Sequence, residues 1–205
     1  LIKMGIALIT SKMIAVFVGP GGMAYIGNFR NFMTSLEGIS TLAFSSGVVK
    51  YVGENEDKEK ELTKIITTVL VTFLVFSTVL GFLIFVFSDF LCAKFFGNNL
   101  QYEIVFKVVA IVLPFSVVSV LFVSIINGLG SYSKLIYATI ISNIIALVLT
   151  VLLIYEFKLV GALLSTALNP TILFTINFFY VPKELQLLSR INLKQYDFSV
   201  LKKLS

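Results

Sequence analysis

Residues 140–155 read IISNIIALVLTVLLIY, and this stretch decides the fold class. It is apolar almost throughout, and its length is close to the roughly 20 residues that cross a bilayer core as a helix. A strand of a membrane barrel would place a polar residue at nearly every second position, and this stretch lacks that alternation. The stretch therefore predicts a membrane-spanning helix.

The rest of the chain repeats this pattern. Of its 205 residues, 58% are hydrophobic and 13% are charged, whereas roughly 25% are charged in an ordinary soluble domain. We predict an all-α integral membrane protein, a six-helix bundle over residues 1–181 with spans near 1–18, 23–49, 65–88, 104–126, 135–155 and 159–181. Residues 182–205 are too polar to span, and they predict a cytoplasmic amphipathic tail or a linker between lobes. The chain opens on Leu1 without an initiator Met, which suggests a fragment of a longer protein.

The composition restricts the possible chemistry. The sequence has no histidine and a single cysteine, Cys92. Catalytic Ser-His and Cys-His pairs and histidine-ligated metal sites are therefore excluded within it. The acidic residues do not cluster inside the apolar stretches, which disfavours a carboxylate metal site there. We predict that the protein is not an enzyme, has no metal or other cofactor, and does not bind nucleic acid.

The basic residues lie mostly on one side of the predicted bundle. One group lies in segment 50–64, another follows Val181, and the turn 127–134 between them contains Lys134. The two groups are Lys50, Lys58, Lys60 and Lys64, and Lys183, Arg190, Lys194, Lys202 and Lys203. Segments rich in Lys and Arg face the cytoplasm in membrane proteins. We therefore predict a multi-pass protein of the membrane with both termini in the cytoplasm.

A polar stripe runs along the second predicted span. At 100° per residue, Arg30, Thr34, Glu37, Thr41 and Ser45 fall within an arc of roughly 80°. A charged side chain in the middle of a bilayer costs at least about 2.5–3.5 kcal/mol, so such residues normally face a bundle interior or an aqueous cavity. We predict that Arg30, Thr34, Glu37 and Thr41 line a cavity that binds substrate.

Lys12 is the second cation of this predicted site. It lies about 9 Å below the outer end of the first span, and Arg30 lies about 10 Å below the outer end of the second, at 1.5 Å per residue. Two cations at one depth on neighbouring helices predict an electropositive pocket. In the alternative interpretation, Lys12 extends toward the headgroups and Arg30 pairs with a backbone carbonyl, and neither binds a ligand.

Glycine and proline mark the predicted turns and kinks. Gly19, Pro20, Gly21 and Gly22 predict a tight outer turn between the first two spans, because proline ends a helix and glycine permits positive φ. Pro114 and Pro170 lie inside the fourth and sixth spans, where each removes a backbone donor. We predict kinks there, which are either structural or hinges.

Four stretches of the sequence resemble one family. They are KMIAVFVGPGGMAYIGNFRNF (12–32), SSGVVKYVGE (45–54), NGLGSYSKLIYATIISNI (127–144) and LLIYEFKLVGALLSTAL (152–168). Together they are similar to the O-antigen flippases, including the lipid III flippases of enterobacterial common antigen synthesis, in the multidrug/oligosaccharidyl-lipid/polysaccharide exporter superfamily. The second span departs from the pattern G-Q-F-Q-N-F of many relatives, since Asn28 and Arg30 stand at its two Gln positions.

The resemblance implies a carrier of twelve to fourteen helices in two six-helix lobes arranged as a V, of which this chain would be the first lobe. Such carriers move undecaprenyl-pyrophosphate-linked oligosaccharides across the bacterial inner membrane, driven by an H⁺ or Na⁺ gradient. The implied partners are this substrate, membrane lipid, the second lobe and the polysaccharide polymerase machinery. The glycan itself is not implied.

Two other functions stay open at this point. A multidrug or cation antiporter of the same superfamily would need a carboxylate-rich cavity, and the apolar spans offer Glu37, with Asp89 at a boundary. A membrane scaffold without transport would have a dry core crossed by small residues. Later spans contain polar residues that would either line a cavity or join helices by hydrogen bonds, namely Asn143, Thr166, Asn169 and Asn177.

Overall fold

The computed structural model describes residues 2–56, 58–97, 99–185, 197, 200 and 201. The elements of these described residues are all helical. In chain order they are α1 (Ile2–Ser40), α2 (Ser45–Glu54), α3 (Glu59–Val86), α4 (Ser88–Phe96), a short 3-10 helix (Leu100–Tyr102), α5 (Glu103–Gly128) and α6 (Tyr132–Leu185). The predicted all-α class is confirmed.

Four helical stretches are long and apolar enough to cross a membrane: Leu8–Ser40, Glu59–Val86, Leu100–Gly128 and Leu135–Phe179. The protein is therefore an all-α membrane bundle. The first and last of these stretches each contain one sharp bend, at Gly19 and Lys158. The arms on either side of the two bends, together with α3 and α5, correspond to the six spans of the sequence analysis. That all six cross the bilayer stays a prediction.

The bend in α1 is shorter than the predicted turn. Gly19 alone leaves helical geometry, with φ 79° and ψ 176°, a conformation that glycine adopts without steric cost. Pro20 begins the second arm, where the missing N–H of proline removes no helical hydrogen bond. Pro20, Gly21 and Gly22 are therefore helical, and the predicted four-residue turn is wrong in its extent.

The bend in α6 occurs at Lys158, with φ 50° and ψ −120°. After it the chain folds back so closely that a Cβ atom on Gly161 would lie 1.8 Å from the carbonyl oxygen of Leu153. No side chain fits there, so glycine is required at this position. Gly22 of α1 lies next to Leu159, which places the bends of α1 and α6 at the same end of the bundle.

The second predicted span is interrupted near its inner end. The span was predicted over 23–49, but α1 ends at Ser40 and α2 begins at Ser45. Leu42 and Ala43 between them have positive φ angles of 49° and 54°. The interruption contains neither glycine nor proline, so no local sequence signal marks it.

The third span also differs at its ends. The sequence predicted 65–88, whereas α3 begins at Glu59 and ends at Val86. Glu59 and Glu61 lie in its first turn, where carboxylates stabilise the positive end of the helix dipole. The chain then changes direction at Phe87 and continues as the short helix α4.

Helix α5 forms the centre of the bundle and packs against α2, α3 and α6. It is the most buried of the four candidate spanning stretches. At the start of α5, a cluster of aromatic rings joins α1, α4 and α5: Tyr25, Phe29, Phe32, Phe95, Phe96, Tyr102 and Phe106. Ring pairs of this kind add to the apolar burial that holds α4 against the bundle.

The helices continue through both prolines. Pro114 lies inside α5 and Pro170 lies inside α6. The residues that leave helical geometry in the long helices are Gly19 and Lys158 instead. The kinks at Pro114 and Pro170 therefore stay predictions.

Most of the tail predicted over 182–205 lies outside the described residues. Three described positions after α6 contact the bundle. The carboxylate of Asp197 lies 2.6 Å from the ammonium of Lys64, and its backbone N–H donates to Thr68 Oγ1 at 3.2 Å. Val200 and Leu201 are buried in the apolar core. This part of the tail is therefore attached to the start of α3.

Candidate functional site

A cavity of about 880 Å³ lies between α1, α2, α5 and α6. Its volume falls within the roughly 300–1,000 Å³ that is typical of small-molecule sites. Of the 28 residues that line it, 18 are polar, whereas the core of the bundle is apolar. A polar lining in a membrane bundle indicates a hydrated cavity rather than a packed helix interface.

The second arm of α1 supplies the charged wall of this cavity. Arg30, Met33, Thr34 and Glu37 all line it, because the spacings i, i+3, i+4 and i+7 place residues on one helical face. Thr34 Oγ1 donates to the carbonyl oxygen of Arg30 at 3.0 Å. Among the described lining residues, Arg30 and Glu37 are the two that carry charge. The structure thus brings together three of the predicted site residues.

Thr41 does not line the cavity, contrary to the prediction. Its side chain is 3% exposed and donates to the carbonyl oxygens of Glu37 at 2.9 Å and Gly38 at 3.3 Å. Because α1 ends at Ser40, the helical periodicity that predicted the position of Thr41 no longer applies there. Thr41 instead satisfies carbonyl groups at the end of the helix.

Lys12 also lies outside the cavity lining, and it is exposed. The first arm of α1 turns Thr10, Ser11 and Ile14 toward the cavity, and Lys12 projects from another face of the same arm. The structure therefore does not bring Lys12 together with Arg30. Arg30 is the single cationic residue of the lining within the described part of the chain.

The opposite wall of the cavity is formed by polar side chains on α5 and α6 that were not predicted from the sequence. Their signal is small polar residues that recur on one helical face, as at positions 116, 119, 124 and 127 in α5 and at 139, 142, 143 and 150 in the first arm of α6. Asn143, Thr166, Asn169 and Pro170 line the cavity too, whereas Asn177 is fully buried elsewhere. The missed residues are Ser116, Ser119, Ser124 and Asn127 on α5, and Thr139, Ser142, Thr150 and Ser165 on α6.

The site does not show the features of a metal centre. Among the described residues, no group of three His, Cys, Asp or Glu side chains could hold a metal ion. The lining offers instead one guanidinium, one carboxylate and many hydroxyl and amide groups. These are groups that bind anions and sugars by hydrogen bonds.

Residues 30–199 match the family described as polysaccharide biosynthesis protein. The chain belongs to this family. The match covers α1 from Arg30 onward and every later helix. It therefore includes the charged wall of the cavity and the wall formed by α5 and α6. The resemblance noted in the sequence is thus confirmed at the level of the family.

Two relatives of this polysaccharide biosynthesis family member are lipid III flippases, one from Escherichia coli (strain K12) and one from Shigella flexneri. Each is 31% identical to the chain over 112 residues, which is 55% of this chain and 27% of the relative. The aligned part therefore spans about a quarter of the length of these relatives. No solved structure matches the chain.

Proposed function

We propose that the protein translocates an undecaprenyl-pyrophosphate-linked oligosaccharide across the bacterial inner membrane for the synthesis of a surface polysaccharide such as O-antigen or enterobacterial common antigen. The observation that carries the proposal is Arg30 in the wall of a polar cavity inside a membrane bundle. The family and the two flippase relatives support it. A second lobe of the same protein, membrane lipid and the polymerase machinery are the proposed partners.

The chemistry of the substrate fits the cavity. A pyrophosphate and its sugars cannot cross the apolar bilayer core without replacing the hydrogen bonds that they make with water. The polar lining supplies such replacements, and the planar guanidinium of Arg30 matches two phosphate oxygens at once. Arg30 is therefore assigned to the pyrophosphate.

Glu37 is proposed to couple transport to an H⁺ or Na⁺ gradient. It lies about 10.5 Å from Arg30 along the axis of α1, or two helical turns, which is too far for a direct ion pair. A carboxylate in a polar cavity can bind a proton or a cation and release it when the cavity opens to the other side. The same carboxylate is the feature that would favour a cation antiporter, but the guanidinium in the same cavity repels organic cations.

Substitution of Arg30 in the intact protein tests the proposal. Arg30→Gln keeps hydrogen-bonding capacity but removes the charge, and we expect it to weaken substrate binding about ten- to a hundredfold, since a charged hydrogen bond contributes roughly 1.5–3 kcal/mol. Arg30→Glu should be more severe because it repels the pyrophosphate. Arg30→Lys should be intermediate because it keeps the charge without the planar fork. The measurement is surface polysaccharide in a strain that lacks its flippase, at equal protein abundance.

Lys12→Gln is the matched control, because it removes one cation outside the cavity lining. We expect it to leave polysaccharide export unchanged. Equal export by all three Arg30 variants would remove Arg30 from the site. The antiporter would be favoured instead if substitution of Glu37 abolished export of an organic cation and left surface polysaccharide unchanged.

A further inference from the structure

The wall of the cavity formed by α5 and α6 differs in chemistry from the wall formed by α1. Both charged residues among the described lining, Arg30 and Glu37, belong to α1. The lining residues of α5 and α6 are neutral, and many of them are Ser, Thr or Asn. A ligand in the cavity therefore meets a charged wall on one side and a neutral polar wall on the other.

Four of the eight hydroxyl groups on the neutral wall already use their single proton in a hydrogen bond to the backbone. Ser116 donates to the carbonyl oxygen of Val112 at 3.3 Å, and Ser124 donates to that of Val120 at 2.9 Å. Ser165 and Thr166 both donate to the carbonyl oxygen of Ala162 at 2.9 Å. Because a hydroxyl has one donor and two acceptor lone pairs, these oxygens keep their acceptor capacity for a ligand. They suit O–H and N–H donors and do not suit the acceptor oxygens of a phosphate or carboxylate.

Ser119 differs from its neighbours on this wall. It lines the cavity and is 2% exposed, yet its hydroxyl makes no hydrogen bond to the described part of the chain. A buried hydroxyl without a partner loses the hydrogen bonds that it makes in water. Ser119 thus offers a free donor as well as acceptors, at the same wall as Ser116.

We propose that the α5–α6 wall is the subsite for the sugar and that Ser119 is a specificity-determining residue in it. The subsite takes a glycan rich in hydroxyl and amide N–H groups. This inference rests on the proposed function, in which the pyrophosphate attached to the same glycan binds Arg30. The two walls then fix the orientation of the substrate, with the phosphates against α1 and the sugar against α5 and α6.

The test compares two lipids that differ only in the sugar. Binding to the intact protein in lipid nanodiscs is measured for undecaprenyl pyrophosphate and for undecaprenyl pyrophosphate that carries N-acetylglucosamine. We expect Ser119→Ala to weaken binding of the sugar-bearing lipid about three- to tenfold, the loss of one neutral hydrogen bond, and to leave binding of the bare lipid unchanged. Ser165→Ala should act in the same direction from the other helix.

Ser77→Ala is the matched control, because Ser77 is fully buried in α3 and is not part of the lining. It should change neither affinity. If Ser119→Ala and Ser165→Ala weaken both lipids equally, or neither lipid, the sugar subsite is wrong. Arg30→Gln, measured in parallel, separates the two proposals. It should weaken the binding of both lipids. If it does not, the anion site is wrong, whereas the sugar subsite is still decided by the result for Ser119→Ala.

Discussion

Arg30 and Ile39 lie on different faces of α1, and the surroundings of each face explain the residue found there. Arg30 faces the polar cavity, whereas Ile39 is 55% exposed on the outer surface of the bundle, where an apolar side chain suits lipid. Thr41 follows at the end of the helix with its hydroxyl turned back onto the backbone. Residues close in sequence thus have three different environments.

These environments predict different reactivity of introduced cysteines. Thr34→Cys and Glu37→Cys should react with a membrane-impermeant thiol reagent, because both positions line the hydrated cavity. Ile39→Cys should not react, because the thiol lies in lipid, and Thr41→Cys should not, because the position is buried. A thiol needs water to form the reactive thiolate. Labelling of Ile39→Cys without labelling of Thr34→Cys would contradict the assignment of the cavity face.

The native cysteine, Cys92, determines the background labelling in this experiment. Cys92 is 1% exposed and its thiol donates to the carbonyl oxygen of Asn99 at 3.2 Å. Burial raises the pKa of Cys92, so little thiolate forms at neutral pH. We expect the protein without introduced cysteines to remain unlabelled, and Cys92→Ala is the control that measures any residual signal.

At the scale of the elements, the break between α1 and α2 is the least regular part of the cavity wall. It lies between Glu37 and Ser45, both of which line the cavity. Leu42 and Ala43 adopt left-handed φ angles there, which cost a residue other than glycine roughly 1–2 kcal/mol. The packing of Val48 and Val52, both fully buried, fixes α2 beyond the break. Packing in the bundle therefore holds a local conformation that the sequence does not favour.

A pair of Ala→Gly substitutions tests this conclusion. Ala43→Gly should stabilise the protein by about 0.5–1 kcal/mol, because glycine tolerates the φ of 54°. Ala24→Gly, at an exposed position in the regular part of α1, should destabilise it by a similar amount, about 0.5–1 kcal/mol, because glycine lowers helix stability. Thermal unfolding in detergent measures both. Destabilisation of equal size by the two variants would mean that residue 43 is helical.

At the scale of the whole molecule, the positively charged connections lie at one end of the bundle. Lys64, at the end of segment 50–64, forms an ion pair with Asp197 of the tail. The connection between α5 and α6 lies beside Gly53, because a Cβ atom on Gly53 would lie 3.1 Å from the carbonyl oxygen of Gly128. One orientation in the membrane therefore places all three connections on the same side, as the positive-inside rule requires.

This arrangement predicts the topology of the chain. A reporter enzyme that is active only outside the cytoplasm should be inactive when inserted after Glu56 or attached at Ser205. The same reporter inserted after Gly97, between α4 and the 3-10 helix at the opposite end, should be active. Activity at Glu56 or Ser205 would overturn the predicted cytoplasmic location of the termini.

The sequence by itself determined the helical membrane class, the family and the cavity face around Arg30. Apolar runs of spanning length allow few alternatives, since the backbone must satisfy its hydrogen bonds within the bilayer. The glycine at position 19 also marked its bend, because a positive φ there is a local property of the residue. Such features depend on residues that are near one another in the chain, and the sequence therefore reports them.

The tertiary structure alone decided which polar residues share the cavity. Lys12 and Thr41 left the predicted site because the rotation of the first arm and the end of α1 at Ser40 are set by packing against other helices. The break at Leu42 and Ala43 carries no glycine or proline signal, since tertiary contacts impose it against local preference. The bend at Lys158, in contrast, lies in the gap between the predicted spans 135–155 and 159–181. The serines of α5 and α6 became a wall because separate helices bring their polar faces together, and no single stretch of sequence contains that arrangement.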